Sequence, residues 1–206
     1  MSGFFGVASH EDCVNDLFFG TDYQSHLGTQ RGGLAVARDG AFKRFIHDIR
    51  NTQFRSKFED DVKRLSGSAG VGVISDYDDQ PILVSSHLGT FAVVTVGVVH
   101  NADALARTAL KHRGTHLAEI AHGYINPTEL VATLINAEGS FAEGIRSAQE
   151  QVVGSCSILV LTDDGLWAGR DRLGRTPVVI GRKEGALCVT SESCALPNLG
   201  YEPERD

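Results

Sequence analysis

The stretches GVGVIS at residues 70–75 and TFAVVTVGVV at residues 90–99 carry the strongest fold signal in this chain. Both are short, apolar and rich in β-branched residues, which is typical of buried β-strands. A strand that is apolar on both faces has to be covered on both faces. We therefore expect these two strands to lie inside stacked sheets that are themselves covered by helices.

Further segments of the same kind lie on both sides of these two stretches. They predict strands at residues 3–8, 33–37, 157–161, 166–170, 177–180 and 186–190. The turns Asp163-Asp164-Gly165 and Lys183-Glu184-Gly185 are short enough to join the last strands as hairpins. Hairpins make neighbouring strands antiparallel, because parallel crossovers need a longer connection.

Helical patterns separate the two groups of strands. Residues 12–19 have helical apolar spacing and end at Gly20, and residues 56–65 form a charged amphipathic pattern. Residues 101–151 turn helical, with Asn126 as a predicted N-cap and Pro127 at the first helical position. This order predicts an α+β protein with mainly antiparallel sheet.

Composition excludes several classes of function. The chain has 206 residues, enough for one domain, and its net charge of −7 argues against binding a nucleic-acid backbone. No apolar run approaches the roughly 20 residues of a membrane helix, and no export signal is visible. Four cysteines without a CxxC pair indicate a reduced, cytoplasmic setting.

The sequence predicts neither a metal site nor a cofactor. The eight histidines form no metal-binding motif. The acidic run Asp76-Tyr77-Asp78-Asp79 lacks the spaced glycine and the distal glutamate of a calcium loop, so we interpret it as a solvated turn.

Four motifs together resemble one family. MSGFFGV at residues 1–7 and LGTQRGG at residues 27–33 are similar to the opening and the arginine-glycine region of class II glutamine amidotransferases. GLWAGRDRLGRTP at residues 165–177 and TSESCAL at residues 190–196 resemble stretches of amidophosphoribosyltransferases. The resemblance spans residues 2–201, and it is most specific in the last two motifs, where Asp171 and Ser191 are expected to fix turns.

The resemblance implies a four-layer α/β/β/α sandwich of the N-terminal-nucleophile hydrolase type, formed by residues 1–206 as one domain. In that family a phosphoribosyltransferase domain follows, and its acidic VVDDSIVRGTT-type loop does not occur here. We therefore expect this domain to be the N-terminal part of a longer chain. Its own C-terminal phosphoribosyltransferase-like domain is the expected partner, and a homo-oligomer is the expected assembly. The family's enzymes are glycosyltransferases of purine biosynthesis.

In such domains, removal of the initiator methionine exposes residue 2, whose side chain attacks the glutamine amide. The new α-amine is the general base, since its pKa of about 7.7–8.0 lets it accept a proton near neutrality. A thiol is the favoured nucleophile because it is partly ionised at neutral pH. Hydrogen-bond donors stabilise the oxyanion, and charged groups position the ends of glutamine.

This chain departs from that pattern at the nucleophile and at both substrate clamps. Ser2 stands where the family has cysteine, and Ser75 stands where an arginine would bind the glutamine carboxylate. Pro127 aligns with the aspartate that would hold the substrate ammonium. A hydrogen bond to a charged group contributes about 1.5–3 kcal/mol, so losing two clamps predicts glutamine recognition weaker by several orders of magnitude.

The oxyanion region is partly retained. Asn101 matches the family asparagine, but Ala102 replaces the glycine that lets the backbone approach closely. Arg31 matches the arginine near the nucleophile. Other interpretations stay open for these residues, because Asn101 is also a good N-cap for the following helix and Arg31 also suits a surface turn.

Three functions follow from this pattern. The first is a domain without glutaminase activity, with a structural or regulatory role for the transferase domain. The second is a serine-nucleophile amidase that acts on another amide, with Ser2 as its nucleophile. The third is a small-molecule sensor that uses the old glutamine pocket, with Arg31 binding an anion.

Overall fold

The structure is a computed structural model that describes residues 2–111, 117, 120–121 and 124–204. Thirteen strands and five helices occur among these residues. The helices are α1 (Val14–Asp22), α2 (Phe54–Val62), α3 (Ala102–Ala109), α4 (Pro127–Asn136) and α5 (Phe141–Gln151). The strands are β1 (Ser2–Ser9), β2 (Arg31–Arg38), β3 (Ala41–Asp48), β4 (Ala69–Ser75), β5 (Ile82–Ser86), β6 (Gly89–Val99), β7 (Ile120–Ala121), β8 (Tyr124–Ile125), β9 (Gly154–Thr162), β10 (Gly165–Gly169), β11 (Val179–Lys183), β12 (Ala186–Thr190) and β13 (Glu202–Pro203).

Two antiparallel sheets form the centre of the fold. One sheet has seven strands in the order β13-β11-β12-β1-β4-β2-β3, and the other has four in the order β10-β9-β6-β5. Strands β7 and β8 form a separate two-stranded hairpin. The predicted α+β class and the predicted pair of mainly antiparallel sheets are confirmed.

Three apolar layers hold the sheets and helices together. Strand β1 contributes side chains to two of these layers. Phe4 packs into the layer between the sheets, while Phe5 packs against α1 on the outer face. The third layer joins β6 and β9 to α4 and α5, with Val93 and Ile158 among its fully buried side chains. Helix, sheet, sheet and helix therefore stack as four layers.

Most predicted strands are present, with shifted ends. The strand predicted at 177–180 begins at Val179 and runs to Lys183, because the chain up to Thr176 wraps around the buried carboxylate of Asp171. Strands β3, β5, β7, β8 and β13 were not predicted. Strand β3 alternates irregularly between apolar residues and the charged residues Lys43, Arg44 and Asp48, and this gives the edge strand a mixed pattern that resembles a loop.

The predicted end of the first helix at Gly20 is wrong. Helix α1 continues to Asp22, and Gly20 lies inside it against the ring of Phe5. A side chain at this position would begin 2.5 Å from that ring, so the glycine allows close helix–sheet packing. Part of the predicted helical region 101–151, namely residues 112–116, 118–119 and 122–123, lies outside the described residues.

The predictions that Asp171 and Ser191 fix turns are confirmed, because each side chain accepts hydrogen bonds from the backbone. The Asp171 carboxylate accepts hydrogen bonds from the backbone N–H groups of Leu173, Arg175 and Thr176. The Ser191 hydroxyl accepts one from the backbone of Phe4 at 3.0 Å. Both residues therefore stabilise chain turns beside buried strands.

A close backbone approach fixes the loop that follows β4. The carbonyl oxygen of Gln80 lies against the α-carbon of Gly33 on β2, where a β-carbon would stand only 1.7 Å from that oxygen. The Gln80 side chain continues the attachment, because its amide exchanges two hydrogen bonds with the backbone of Thr95 on β6. The loop at residues 76–81 is therefore tied to both sheets.

Gly33→Ala tests this approach. We expect the substitution to lower the free energy of unfolding by about 1–3 kcal/mol, because a methyl group cannot fit against the Gln80 carbonyl without moving the backbone. The melting temperature should fall by about 3–10 °C. Gly139→Ala is the matched control, since a β-carbon there meets only the end of Glu143 at 3.7 Å. Equal melting temperatures for both variants would contradict the prediction.

Candidate functional site

Three predicted site residues form a row across neighbouring strands. Ser2 on β1 lies opposite Ser75 on β4, and Ser75 lies opposite Arg31 on β2. Residues directly opposite in antiparallel strands project from the same face of the sheet. Because Phe4 faces the layer between the sheets, Ser2 faces the same side, at the open end of that layer.

The Ser75 hydroxyl stabilises the loop that follows it. Ser75 is 1% exposed, and its Oγ accepts hydrogen bonds from the backbone N–H groups of Tyr77 at 3.2 Å and Asp78 at 3.3 Å. Its short side chain therefore turns back on its own chain. It brings no positive charge into the space between Ser2 and Arg31.

Two carboxylates neutralise the charge of Arg31. Its Nη1 lies 2.7 Å from Asp48 Oδ2, and its Nε lies 2.8 Å from Asp79 Oδ1. The second contact is an ion pair without an aligned hydrogen bond. Arg50 also binds Asp48, and its hydrogen bonds, followed by that of Arg31, lower the pKa of the Asp48 carboxyl. Arg31 and Arg50 are thus both engaged with the protein's own acids.

The acidic run at residues 76–79 is more than a solvated turn. Of its four residues, only Tyr77 is exposed, while the three aspartates are partly buried. Asp76 accepts a hydrogen bond from the backbone of Thr29 at 2.7 Å. Burial, with a smaller contribution from the charge of Asp79, raises the pKa of Asp78 to about 6.

A cavity of about 510 Å³ opens beside this row of residues. This volume is typical of a site for a small molecule. The wall combines both sheets, the acidic run at residues 76–79 (hereafter the acidic loop), the β7–β8 hairpin and the start of α4. Its residues are Ser2, Gln30, Arg31, Arg50, Ser75, Asp76, Tyr77, Asp78, Gln80, Thr95, Gly97, Val98, Val99, Tyr124, Ile125, Pro127 and Cys156.

Ser2 is the group on this wall that matches a nucleophile. Its side chain is partly exposed, and no hydrogen bond to its hydroxyl arises from the residues that the structure describes. Cys156 also lines the cavity, but burial, together with the charge of Asp171, raises the pKa of its thiol to about 12. Cys156 therefore stays protonated at neutral pH.

Pro127 reaches the cavity from the start of α4. The predicted N-cap is confirmed, because the Asn126 side chain accepts a hydrogen bond from the backbone of Thr128 at 2.9 Å. The same side chain donates to the carbonyl of Asp79 at 3.0 Å. The helix start is thereby bound to the acidic loop, and proline presents no charged group at this wall.

Asn101 and Ala102 lie apart from the residues that line the cavity. Asn101 occupies the N-cap position of α3, but its side chain makes no capping bond. It donates to the carbonyl of Gln151 and accepts from the backbone of Val153, each at 2.9 Å. Its amide thus supports the turn between α5 and β9, and Ala102 begins α3.

Several wall residues were not identified from the sequence. Tyr124 is far along the chain from Asp78 and Gln80, and no motif links the three residues. The acidic run was the one visible signal. Its local pattern resembles an ordinary polar turn, and only the packing against β2 and β6 places it on the cavity wall.

The described residues form neither a metal-binding cluster nor a membrane-spanning helix. No group of three or more histidine, cysteine, aspartate or glutamate side chains within those ranges could hold a metal ion. Nor does any helix in the same ranges have the length and apolar character needed to cross a membrane.

Curated relatives of this chain carry the name amidophosphoribosyltransferase. The chain is 28% identical to the amidophosphoribosyltransferase of Methanocaldococcus jannaschii over 218 residues, which cover 100% of the chain and 45% of the relative. It is 27% identical to the enzyme of Archaeoglobus fulgidus, with 89% of the chain and 42% of the relative covered. The chain thus spans less than half the length of these curated relatives.

Solved structures share the fold. The glutamine phosphoribosylpyrophosphate amidotransferase of B. subtilis, solved in complex with ADP and GMP, superposes with a TM-score of 0.85 at 23% identity, covering 98% of this chain and 44% of that one. A glutamine aminotransferase class-II domain protein from Silicibacter pomeroyi superposes with a TM-score of 0.61 at 13% identity, covering 98% and 91%. These likenesses confirm the N-terminal-nucleophile type of sandwich.

A family model described as "Glutamine amidotransferase domain" matches residues 63–198, about two thirds of the chain. This match includes β4 and the acidic loop, as well as the strands that carry the Asp171 motif. The chain belongs to the glutamine amidotransferase domain family.

Proposed function

We propose that this glutamine amidotransferase domain no longer hydrolyses glutamine and serves a structural or regulatory role for a transferase domain. The observation that carries the proposal is the row Ser2–Ser75–Arg31, in which the central position provides no charge and the outer cation is already bound by Asp48 and Asp79. A glutamine carboxylate placed beside Ser2 would find no unpaired cation among the residues that line the cavity.

The family's clamp for the other end of glutamine is also missing. The aspartate that would hold the substrate ammonium is replaced by Pro127, which contributes only its ring to the wall. Positioning of both charged ends supplies much of the rate of such a reaction. A hydroxyl nucleophile adds a further loss, because it is far less ionised than a thiol at neutral pH.

The proposal also includes a partner domain of the phosphoribosyltransferase type. Relatives named amidophosphoribosyltransferase are more than twice as long as this chain. We place this domain beside a phosphoribosyltransferase-like domain in the cytoplasm, in an enzyme of purine biosynthesis that uses free ammonia. In that setting the sandwich would support the fold or the assembly of its partner.

A second candidate is an amidase with Ser2 as its nucleophile and a different amide as its substrate. The favouring observation is that the cavity persists, with a volume of about 510 Å³ and with Ser2 on its wall. A domain kept only for assembly would not require an open pocket of this size.

Purified protein, incubated with saturating glutamine, should release glutamate at the rate of the buffer blank. The physical reason is the loss of both charged clamps, which also removes the means of orienting the amide toward Ser2. The measurement is glutamate formation by a coupled assay, with Ser2→Ala as the control. Hydrolysis by the unaltered protein that disappears in Ser2→Ala would contradict the proposal.

Ser2→Cys should not restore glutamine hydrolysis. The substitution returns a thiol to the position of the nucleophile but leaves Ser75 and Pro127 in place of the clamps. We expect a rate within about tenfold of the blank, whereas one missing oxyanion donor alone typically costs about 10²–10³ in rate. Mass spectrometry of the N-terminal peptide after thiol labelling would confirm a free, processed cysteine. Robust glutamine hydrolysis by Ser2→Cys would show that the cavity still binds glutamine and would contradict the prediction.

The amidase candidate predicts covalent labelling of Ser2 by a serine-reactive probe. The expected product is a single adduct on the N-terminal peptide, absent from Ser2→Ala, because the α-amine would activate only the adjacent hydroxyl. N-terminal sequencing supplies the second measurement, since retention of Met1 removes the required base and excludes this candidate.

A further inference from the structure

We propose that the larger sheet binds the transferase-type partner domain on a face that the smaller sheet leaves uncovered. This face, which we call the overhang, is formed by the side chains of Ile180 on β11 and of Leu187 and Val189 on β12. The inference rests on the proposed function in one respect, because the occupant is the domain proposed there to follow in a longer chain.

The two sheets differ in width. One side of the larger sheet runs in the order β13-β11-β12-β1, whereas the smaller sheet ends on that side with β10. Strand β10 packs on β1 and β4, which lie further inside the larger sheet. The outer strands β11 and β13 therefore extend past the edge that β10 forms.

The strand register places apolar side chains on this uncovered face. Val189 packs at the border of the layer between the sheets, and Ile180 lies directly opposite it on β11. Leu187 is two residues before Val189 and so projects to the same side. Ile180 is 42% exposed and Leu187 is 39% exposed. An exposed apolar surface that continues a buried layer is typical of a contact with another protein surface.

Charged side chains border the overhang. Arg182 lies opposite Leu187 on β12 and opposite Glu202 on β13, and its guanidinium binds Glu204 at 2.9 Å. Both members of this ion pair are exposed. An apolar centre with a polar rim is the usual composition of a contact between domains, since the rim stays hydrated while the centre is buried.

The course of the chain favours a covalently linked domain as the occupant. Strand β13 pairs with β11, and the backbone N–H of Glu204 donates to the carbonyl of Ile180 at 2.8 Å. A segment that continues from β13 thus starts beside the overhang. More than half of the length of the curated relatives lies outside the matched region. A domain tethered at this point has a high effective concentration at the surface.

The segment that leads into β13 is held firmly against the rest of the domain. Tyr201 is 3% exposed, and its hydroxyl donates to Asp16 on α1 at 2.6 Å. The ammonium of Lys183 donates to the carbonyl of Leu199 at 3.2 Å. A domain joined to so fixed a segment has few orientations available, and this lowers the entropic cost of docking.

The experiment measures solvent access to the overhang in the full-length natural protein. Leu187→Cys introduces a thiol on the overhang, and Ser56→Cys introduces one on the exposed side of α2 as the matched control. Both variants also carry Cys194→Ser, which removes the exposed native thiol of this domain. We expect a maleimide to label Leu187→Cys about tenfold or more slowly than Ser56→Cys, because the docked domain excludes the reagent.

Ile180→Glu tests whether docking protects the thiol. A carboxylate in the centre of an apolar contact is unfavourable, so this change should release the partner domain. We expect it to raise the labelling rate of Leu187→Cys about fivefold or more and to leave that of Ser56→Cys unchanged. Circular dichroism would verify that each variant is folded.

Hydroxyl-radical oxidation of the unaltered protein gives the same comparison without a substitution. Three leucines serve as matched probes, because Leu159 is fully buried, Leu110 is 49% exposed, and Leu187 lies on the overhang. Tandem mass spectrometry measures the oxidation rate of each. We expect Leu187 to react at nearly the rate of Leu159, and a rate equal to that of Leu110 would contradict docking.

The inference is overturned if Leu187→Cys is labelled as fast as Ser56→Cys, or if Ile180→Glu leaves its rate unchanged. A natural protein without a domain after β13 would overturn it too, and would also remove the partner from the proposed function. The glutamine assay is independent of these outcomes. A protected thiol together with glutamine hydrolysis would contradict the loss of activity alone, whereas an unprotected thiol without hydrolysis would contradict this inference alone.

Discussion

The dry layer between the two sheets is the constraint on which the rest of this structure depends. Phe4 and Val73 from the larger sheet pack there against Val94 and Leu159 from the smaller one, and all four side chains are at most 1% exposed. A shift of one residue in any of these strands would exchange the side chains that face the two neighbouring layers, so the close packing of each layer fixes the register. That register places Ser2, Ser75 and Arg31 side by side.

The pocket wall and the sheets are stabilised by different kinds of interaction. The strands are held by apolar burial, whereas the loop after β4 is held by hydrogen bonds and ion pairs. Gln80 bonds the backbone of Thr95, Asn126 bonds the carbonyl of Asp79, and Arg31 binds the Asp79 carboxylate. Polar and charged groups beside the pocket are thus used to hold its wall in place.

The interactions that fix the fold are thus largely separate from the residues that line the pocket. Family membership is carried by β4, by the Asp171 turn and by the strands around it, where burial restricts the residues that fit. Ser75 and Pro127 contribute to local structure without offering a charge to a ligand. Uncharged residues at positions 75 and 127 are therefore compatible with an intact fold.

Much of the architecture was predictable from local pattern. Runs such as residues 70–75 and 90–99 identify buried strands, and the short turns around Gly165 and Gly185 identify hairpins. Strand β3 and the continuation of α1 past Gly20 were not predictable in this way. An edge strand mixes exposed and buried positions, and the fit of Gly20 against Phe5 depends on a partner from another strand.

The sequence by itself determined the family, the layered sheets and the uncharged residue types at positions 75 and 127, because these follow from local periodicity and from ordered motifs. Only the tertiary structure decided that Arg31 is neutralised, that Asn101 supports a distant turn, and that Asp78 faces a cavity with two exposed tyrosines. The physical reason is that electrostatic pairing depends on distances between segments remote in the chain, and no local pattern specifies those distances.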